Sequence, residues 1–140
     1  MSAAKILLVD DNIADVKLLR LALDGQDEAY ELQVLPTGED ALRFVQTHKT
    51  SMQGEPCVII LDLHMPRFDG LDILMLIKGS VNLAHVNVVV LSGAASPSEK
   101  QRIAELGASY MQKPSDLSEY MQLGSRIMDI CSSGEMAAAV

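Results

Sequence analysis

The polar residues best suited to chemistry in this sequence stand where its apolar runs end. Asp10 and Asp11 follow the run "ILLV", and Asp62 follows "VIIL". Ser92 ends the run "VVVL", and Lys113 follows "SYMQ". Carboxylates, a hydroxyl and an ammonium are groups that can bind a hard cation together with a phosphoryl group. These residue types therefore indicate phosphate chemistry, provided that the fold brings them together.

Carboxylates crowded into one place repel each other unless a cation neutralises them. Mg²⁺ is the natural partner, because it prefers oxygen ligands and is usually held by one or two protein carboxylates plus phosphate oxygens. A lysine does not bind the metal, but it can pair with a carboxylate or with phosphoryl oxygens. Asp62 is the natural phosphoryl acceptor, because it follows its strand alone, whereas Asp10 and Asp11 are adjacent and can share the metal.

Each of these residues also has an ordinary structural explanation. An aspartate at the end of a strand is most often a turn former or a helix cap, and Asp11 or Asn12 would serve as the cap of a helix that begins near Ile13. A serine after a strand is usually a turn residue, and a Lys-Pro pair before a helix usually marks an element boundary. Only the joint arrangement favours a functional site.

Short apolar runs alternate with stretches of helix length along the chain. The runs are "KILLVD", "YELQVL", "CVIILD", "VNVVVLS" and "SYMQK". This alternation predicts an α/β fold, in which a doubly wound parallel sheet carries helices on both faces. In such sheets ligands bind outside the carboxyl ends of the strands, so the polar residues should meet in one crevice.

Several helix boundaries are also marked in the sequence. Residues 37–40 and 96–99 fit the capping-box pattern, and Pro97 falls at the first helical position after the second. Gly25 and Gly107 fall where helices should stop. We expect one domain over residues 1–131, and a flexible tail over residues 132–140, where "SSGEMAAAV" lacks caps and periodicity.

The composition argues against several classes of function. Of the 140 residues, 11 are basic and 19 acidic, which gives a net charge of −8 and disfavours a nucleic-acid or anionic-membrane surface. The first apolar run is too short for a signal peptide, and no later segment approaches the length of a membrane span, so we expect a cytoplasmic protein. Cys57 and Cys131 form no metal or redox motif and are expected to be reduced thiols in the core.

Four motifs carry a family resemblance. They are "ILLVDDN", "LDLHMPRFDG", "VVVLSG" and "YMQKP", in this order. On these motifs the sequence resembles the receiver domains of two-component response regulators, the family that includes CheY, from Lys5 to about Cys131. The resemblance implies a five-stranded parallel sheet in the order 2-1-3-4-5 with five helices. It also implies that a sensor histidine kinase donates a phosphoryl group to Asp62 with Mg²⁺ bound.

The resemblance implies roles for the acidic residues and the lysine. Asp10 and Asp11 match the acidic pair that holds the metal in this family. Asp62 would add a side-chain ligand, and His64 would contribute its backbone carbonyl. Lys113 matches the lysine that is typical of the family's site.

The resemblance also implies a switch. Ser92 matches the hydroxyl residue that moves toward the phosphoryl group on activation, and Tyr110 matches the aromatic residue that changes rotamer. Pro114 matches a proline commonly preceded by a cis peptide bond, which would hold Lys113 in place.

The opening segment "DDNIADVKLLRLAL" further resembles the single-domain response regulators that partner bacterial and cyanobacterial phytochromes. This similarity lies mainly in Ala14, Asp15 and a leucine-rich first helix. With only a short tail after the receiver, output is expected through partner binding or a homodimer on the face of the fourth helix, fifth strand and fifth helix. Ile103, Leu106 and Tyr110 would belong to that region. The protein is thus expected to be a switch that assists its own phosphorylation and dephosphorylation, not an enzyme.

His64 departs from commoner receivers. It stands two residues beyond the acceptor, where the side chain in this family influences how easily water reaches the acyl phosphate. Ala94 occupies a comparable place past Ser92. We hypothesise that the imidazole and the small alanine together set the dephosphorylation rate.

Three other functions compete with the response regulator. A phosphatase similar to haloacid dehalogenases also uses an aspartate nucleophile and Mg²⁺, but such enzymes carry a second acid where this chain has His64. A flavodoxin-like FMN binder needs amides and hydroxyls after the first strand, where Asp10 and Asp11 would repel an anion. A receiver-like scaffold that is never phosphorylated is disfavoured by the full acidic set together with Ser92 and Lys113.

Overall fold

The computed structural model describes residues 3–48 and 55–133. Its strands are β1 Ala4–Val9, β2 Tyr30–Leu35, β3 Val58–Asp62, β4 His64–Met65, β5 Phe68–Asp69, β6 Asn87–Ser92 and β7 Ser109–Gln112. Its helices are α1 Ile13–Asp24, α2 Gly38–Thr47, α3 Gly70–Gly79, α4 Pro97–Glu105 and α5 Leu117–Ser133. Helices and strands therefore alternate as the sequence predicts, apart from the short β4 and β5.

Five of these strands form one parallel sheet in the order β2-β1-β3-β6-β7. Counted over the strands of this sheet, the order is the 2-1-3-4-5 that the resemblance implies, and the α/β fold class is confirmed. The strand order reverses between β1 and β3, which is where such sheets bind ligands at their carboxyl edge. The residues that follow β1 and β3 therefore occupy the expected crevice.

The strands β4 and β5 form a small antiparallel hairpin that the sequence analysis does not predict. His64 pairs with Asp69 across this hairpin. Each strand has only two residues, too few for a period-two pattern to show in the sequence. Arg67 in the turn has a φ of 69°, an uncommon value for a residue other than glycine. The hairpin fixes the chain directly after β3 and so determines where His64 lies.

The central strand β3 is buried on both faces of the sheet. Its residues alternate between two clusters of the core, one beside α1 and α5 and the other beside α2, α3 and α4. The first cluster contains Val58 and Ile60, and the second contains Ile59 and Leu61. Burial on both faces explains why this run is unbroken in apolar residues. The same burial fixes the position of Asp62 at the end of the strand.

The helices begin at the caps that the sequence indicates. The Asn12 side chain caps α1, so Asn12 rather than Asp11 is the cap. Ser96 and Glu99 form a complete capping box at the start of α4. At the start of α2 only the Thr37 half of that motif forms, through the N–H of the third helical residue. These caps fix the start of each helix at the carboxyl edge of the sheet, next to the crevice.

The last helix, α5, runs for 17 residues and ends at Ser133. Residues 132 and 133, which the sequence analysis assigns to a tail, are thus helical, and the remainder of the predicted tail lies outside the described residues. In the described part of the chain, none of the helices has the length together with the apolar character that a bilayer crossing requires.

Cys57 and Cys131 form a disulfide, so the expectation of two reduced thiols is wrong. Their Cα atoms lie 5.2 Å apart, although 74 residues separate them in the sequence. Cys57 immediately precedes β3, and Cys131 lies in the last turn of α5. No local motif marks the pair, because the contact arises only when α5 returns the chain to the amino ends of the strands.

Reducing this disulfide should lower the free energy of unfolding by about 4 kcal/mol, because the bond closes a long loop and restricts the unfolded chain. We expect urea-induced unfolding to occur at lower denaturant concentration in the presence of dithiothreitol. A variant with both Cys57→Ala and Cys131→Ala should unfold at one urea concentration regardless of reductant. Coincident curves for the wild-type protein with and without reductant would contradict the bond.

Candidate functional site

Three aspartates form a compact acidic cluster at the carboxyl ends of β1 and β3. One carboxylate oxygen from each of Asp10, Asp11 and Asp62 lies within 4.8 Å of the others. Asp10 and Asp62 are buried, with exposed fractions of 2% and 6%, whereas Asp11 is exposed. Because β1 and β3 are parallel neighbours in register, the residues that follow them emerge at the same edge. The structure therefore brings together the three acids that the sequence singles out.

Burial changes the proton affinity of these carboxyl groups. Burial raises the pKa of Asp10 from its ordinary 3.8 to about 6, against the opposing effects of the Asn12 N–H and Lys113. Burial also raises the pKa of Asp62. The Asn12 N–H donates to Asp10 Oδ1 at 2.8 Å, and the His64 N–H donates to Asp62 Oδ1 at 3.2 Å. The protein thus compensates the buried charges only in part, which is the condition that a bound cation relieves.

Lys113 supplies the protein's own positive charge to this cluster. Its Nζ lies 3.5 Å from Asp62 Oδ2 and 3.9 Å from Asp10 Oδ2. Its shortest contact, at 2.8 Å, is with Asp15 Oδ2. Burial lowers the pKa of Lys113, but the hydrogen bond to Asp15 and the neighbouring carboxylates outweigh burial and leave that pKa above its usual range. Lys113 therefore stays charged in the crevice.

Asp15 is the site residue that sequence reasoning missed. In the sequence it stands out only as part of the resemblance to phytochrome response regulators. It lies in the first turn of α1, and its N–H donates to the capping side chain of Asn12 at 3.1 Å. Its position in the sequence could have indicated its role. An acid in the first turn of a helix that starts at the carboxyl edge of β1 lies beside the crevice.

The peptide bond between Lys113 and Pro114 is trans, so the expected cis bond is absent. The trans form of an X–Pro bond is favoured by only about 0.5–1 kcal/mol, so the residue pair alone does not decide the isomer. Other contacts hold Lys113. Its backbone N–H donates to the Ser92 carbonyl at 3.0 Å, and its ammonium is paired with three carboxylates.

The buried Ser92 hydroxyl is connected to α4 through a histidine. Ser92 Oγ lies 3.3 Å from His64 Nδ1 and accepts the Ala94 N–H at 3.2 Å. On the other side of the ring, His64 Nε2 lies 3.3 Å from Glu99 Oε2. A hydrogen-bonded chain therefore runs from Ser92 through the exposed imidazole to the capping box of α4.

Tyr110 contacts the same strand end through its hydroxyl. This hydroxyl donates to the Ser92 carbonyl oxygen at 2.9 Å. Lys100 Nζ in α4 lies 5.1 Å from the centroid of the Tyr110 ring, within the range of a cation–π interaction. The structure thus places the two predicted switch residues, Ser92 and Tyr110, in direct contact.

The crevice contains the groups required for phosphoryl transfer to a carboxylate. A buried carboxylate is present as an acceptor, and the clustered carboxylate oxygens fit the donor set that Mg²⁺ prefers. An ammonium and a hydroxyl stand at neighbouring strand ends, where they can bind phosphoryl oxygens. Positioning and charge neutralisation are the main contributions that proteins make to this chemistry.

Comparison with known proteins identifies the family. The sequence profile of the response regulator receiver domain matches residues 6–123. The chain belongs to this family, the receiver domains of two-component signalling systems, as the motifs predict. Phosphorylation of an aspartate with Mg²⁺ is general for the family.

Within this family, several of the similar proteins are phytochrome response regulators. Response regulator Rcp1 from Synechocystis sp. is 32% identical over 125 residues, which cover 84% of this chain and 82% of Rcp1. The crystal structure of the phosphorylated cyanobacterial phytochrome response regulator RcpA is similar with a TM-score of 0.82 at 28% identity, over 96% of this chain and 97% of RcpA. The Mn²⁺-bound form of Rcp1 gives a TM-score of 0.79 at 28% identity, over 96% and 99% of the two chains. The predicted resemblance to phytochrome response regulators is thus confirmed.

The raised pKa of Asp10 makes cation binding to the acidic cluster depend on pH. Below about 6, Asp10 takes up a proton, which then competes with Mg²⁺ for the same carboxylate. We expect the Mg²⁺ affinity, measured by isothermal titration calorimetry, to fall by about tenfold per pH unit below that value and to level off above it.

The metal-free protein should show the opposite trend in stability. Between pH 3.8 and about 6 the folded protein holds the Asp10 proton more tightly than the unfolded chain does, so the free energy of unfolding decreases as pH rises. Asp10→Asn should reduce this decrease to the part that the raised pKa of Asp62 causes, and it should also weaken Mg²⁺ binding. Wild-type Mg²⁺ affinity that is equal well below and well above pH 6 would contradict the assignment of Asp10.

Proposed function

We propose that this protein is a phospho-accepting response regulator, in which Asp62 receives a phosphoryl group from a sensor histidine kinase. The observation that carries the proposal is the environment of the Asp62 carboxylate. It is buried at the end of β3, it lies within 4.8 Å of Asp10 and Asp11, and its Oδ2 is 3.5 Å from Lys113 Nζ. A fixed carboxylate between an acidic cluster and an ammonium is suited to accept a phosphoryl group.

Mg²⁺ is the cofactor that this site fits. The side chains of Asp10, Asp11 and Asp62 would hold it, together with the backbone carbonyl of His64. When bound, the metal would neutralise charge on the phosphoryl oxygens. The Mn²⁺-bound form of the relative Rcp1 supports this assignment, since Mn²⁺ and Mg²⁺ prefer similar oxygen ligands.

The chain's own residues would carry the transfer. A carboxylate oxygen of Asp62 forms a bond to phosphorus while the bond between phosphorus and the kinase histidine nitrogen breaks. Lys113 pairs with one phosphoryl oxygen, and the Ser92 hydroxyl turns from His64 to donate to another. The Tyr110 hydroxyl is bonded to the Ser92 backbone carbonyl, so Tyr110 would respond to a shift of this strand end and not to rotation of the Ser92 hydroxyl alone. Hydrolysis of the acyl phosphate then returns the switch to its resting state.

The output of the switch would be the binding of a partner, or of a second copy, to the face formed by α4, β7 and α5. Ile103 is fully buried beneath this face, and Leu106 and Tyr110 pack against the core, so they support the surface more than they form it. Similarity to Rcp1 and RcpA supports a phytochrome as the sensor kinase. Membership of a two-component family supports a cytoplasmic location.

Incubation with acetyl phosphate and Mg²⁺ should produce a slower band on a phosphate-affinity gel. Asp62→Asn should give no such band, because the amide is a poor nucleophile with nearly unchanged size. Chelation of the metal should also suppress the band in the wild-type protein. An unshifted wild-type protein, or a shift that persists in Asp62→Asn, would overturn the assignment.

His64→Asn should shorten the lifetime of the phosphorylated form. The imidazole lies beside Ser92 and Glu99, and the smaller asparagine leaves room for a water molecule near the acyl phosphate. We expect up to a tenfold faster loss of phosphate, equivalent to about 1.4 kcal/mol in the barrier. The measurement is the decay of the shifted band after the donor is removed. An unchanged half-life would exclude a role for His64 in setting this rate.

A further inference from the structure

Lys113 has three carboxylate neighbours, and the nearest of them lies outside the acidic cluster. Its ammonium is 2.8 Å from Asp15 Oδ2, compared with 3.5 Å from Asp62 and 3.9 Å from Asp10. The side chains of Lys113 and Asp15 are about equally shielded, with exposed fractions of 21% and 20%. The strongest pairing of the lysine is therefore with α1 and not with the proposed acceptor.

Asp15 is held in this position from a second direction. Its other oxygen, Oδ1, accepts a hydrogen bond from the Tyr120 hydroxyl at 3.3 Å. Tyr120 lies in the first turn of α5, and only 3% of its surface is exposed. Burial, followed by the charge of Asp15, raises the pKa of Tyr120 to about 12, so the phenol remains a hydrogen-bond donor. Asp15 thus connects the ammonium of the site with the start of α5.

A phosphoryl group on Asp62 would compete with Asp15 for the same ammonium. Lys113 is a compact point charge on a flexible stem, so it can move between neighbouring anions. Its distance to Asp62 is only 0.7 Å longer than its distance to Asp15, which is the difference between 3.5 Å and 2.8 Å. A small movement of the side chain therefore suffices to exchange one partner for the other.

We propose that Asp15 is a positioning residue that holds Lys113 against α1 and Tyr120 until Asp62 becomes phosphorylated. This inference rests on the proposed function of Asp62. Phosphorylation draws the ammonium toward the phosphoryl oxygens, and Asp15 then loses its closest cation. Its remaining polar partner on α5 is Tyr120, so the change at the site reaches the start of that helix through one hydrogen bond.

Asp15→Asn should increase the rate of phosphorylation by acetyl phosphate at saturating donor and Mg²⁺. In this reaction the bond between phosphorus and the acetyl oxygen breaks, acetate leaves, and Asp62 forms the new bond to phosphorus. The amide keeps the size of the side chain but removes the competing charge, so we expect about a two- to fivefold increase in the maximal rate. The donor concentration at half-maximal rate should change little, because Lys113 is freed for the transition state.

Asp24→Asn is a matched control. Asp24 also lies on α1, and it also accepts a hydrogen bond from a tyrosine hydroxyl, that of Tyr30, at 2.6 Å. Removing its charge should leave the phosphorylation rate unchanged. An equal increase in both variants would attribute the effect to net charge and overturn the inference, as would an unchanged or slower rate in Asp15→Asn.

A second measurement needs no phosphorylation. Asp15→Asn, Tyr120→Phe and the double variant should show non-additive effects on the free energy of unfolding in urea, because the two side chains share one hydrogen bond. Additive effects would overturn the proposed role of Asp15 but would leave the proposed function of Asp62 intact. A wild-type protein that never accepts a phosphoryl group would instead overturn the proposed function, even if the coupling between Asp15 and Tyr120 is present.

Discussion

The site depends on the enforced proximity of buried carboxylates at the ends of two neighbouring strands. In water these groups would separate, but the parallel pairing of β1 with β3 and the burial of both strands keep Asp10 and Asp62 side by side. Burial, and to a lesser extent repulsion from neighbouring carboxylates, raises the pKa of both groups, so the fold tolerates them at an energetic cost. That cost is the reason why the crevice attracts cations. The apolar core therefore holds the charged site together, because burial of the two strands fixes the positions of the two carboxylates.

Two hydrogen-bonded routes leave this crevice, and each ends on a different helix. One runs from Ser92 through His64 to Glu99 at the start of α4. The other runs from Lys113 through Asp15 to the start of α5. Both helices belong to the face through which the proposed output would act. A single event at the acceptor could therefore change two elements of one surface, through contacts that share no residue.

The sequence predicts the strands and the acids well, because both depend on local patterns. The bounds of β2 agree with the predicted run, and Asp10, Asp62 and Ser92 stand at the ends of their strands as expected. What it misses depends on neighbours that only the fold creates. Asp15 and Lys113 are 98 residues apart, and the two cysteines are 74 residues apart. No periodicity or motif records such pairs, since each residue alone has a common local explanation.

The disulfide gives the last helix a fixed end. Cys131 ties the final turn of α5 to the residue before β3, while the first turn of α5 contacts the crevice at the other end of the same strand. With one end covalently anchored, α5 would respond to a change in the contact with Asp15 mainly at its first turn. The buried side chains of Tyr120 and Leu123 limit how far that turn can move. The largest displacement would then occur next to the acceptor, and the smallest at the opposite edge of the sheet.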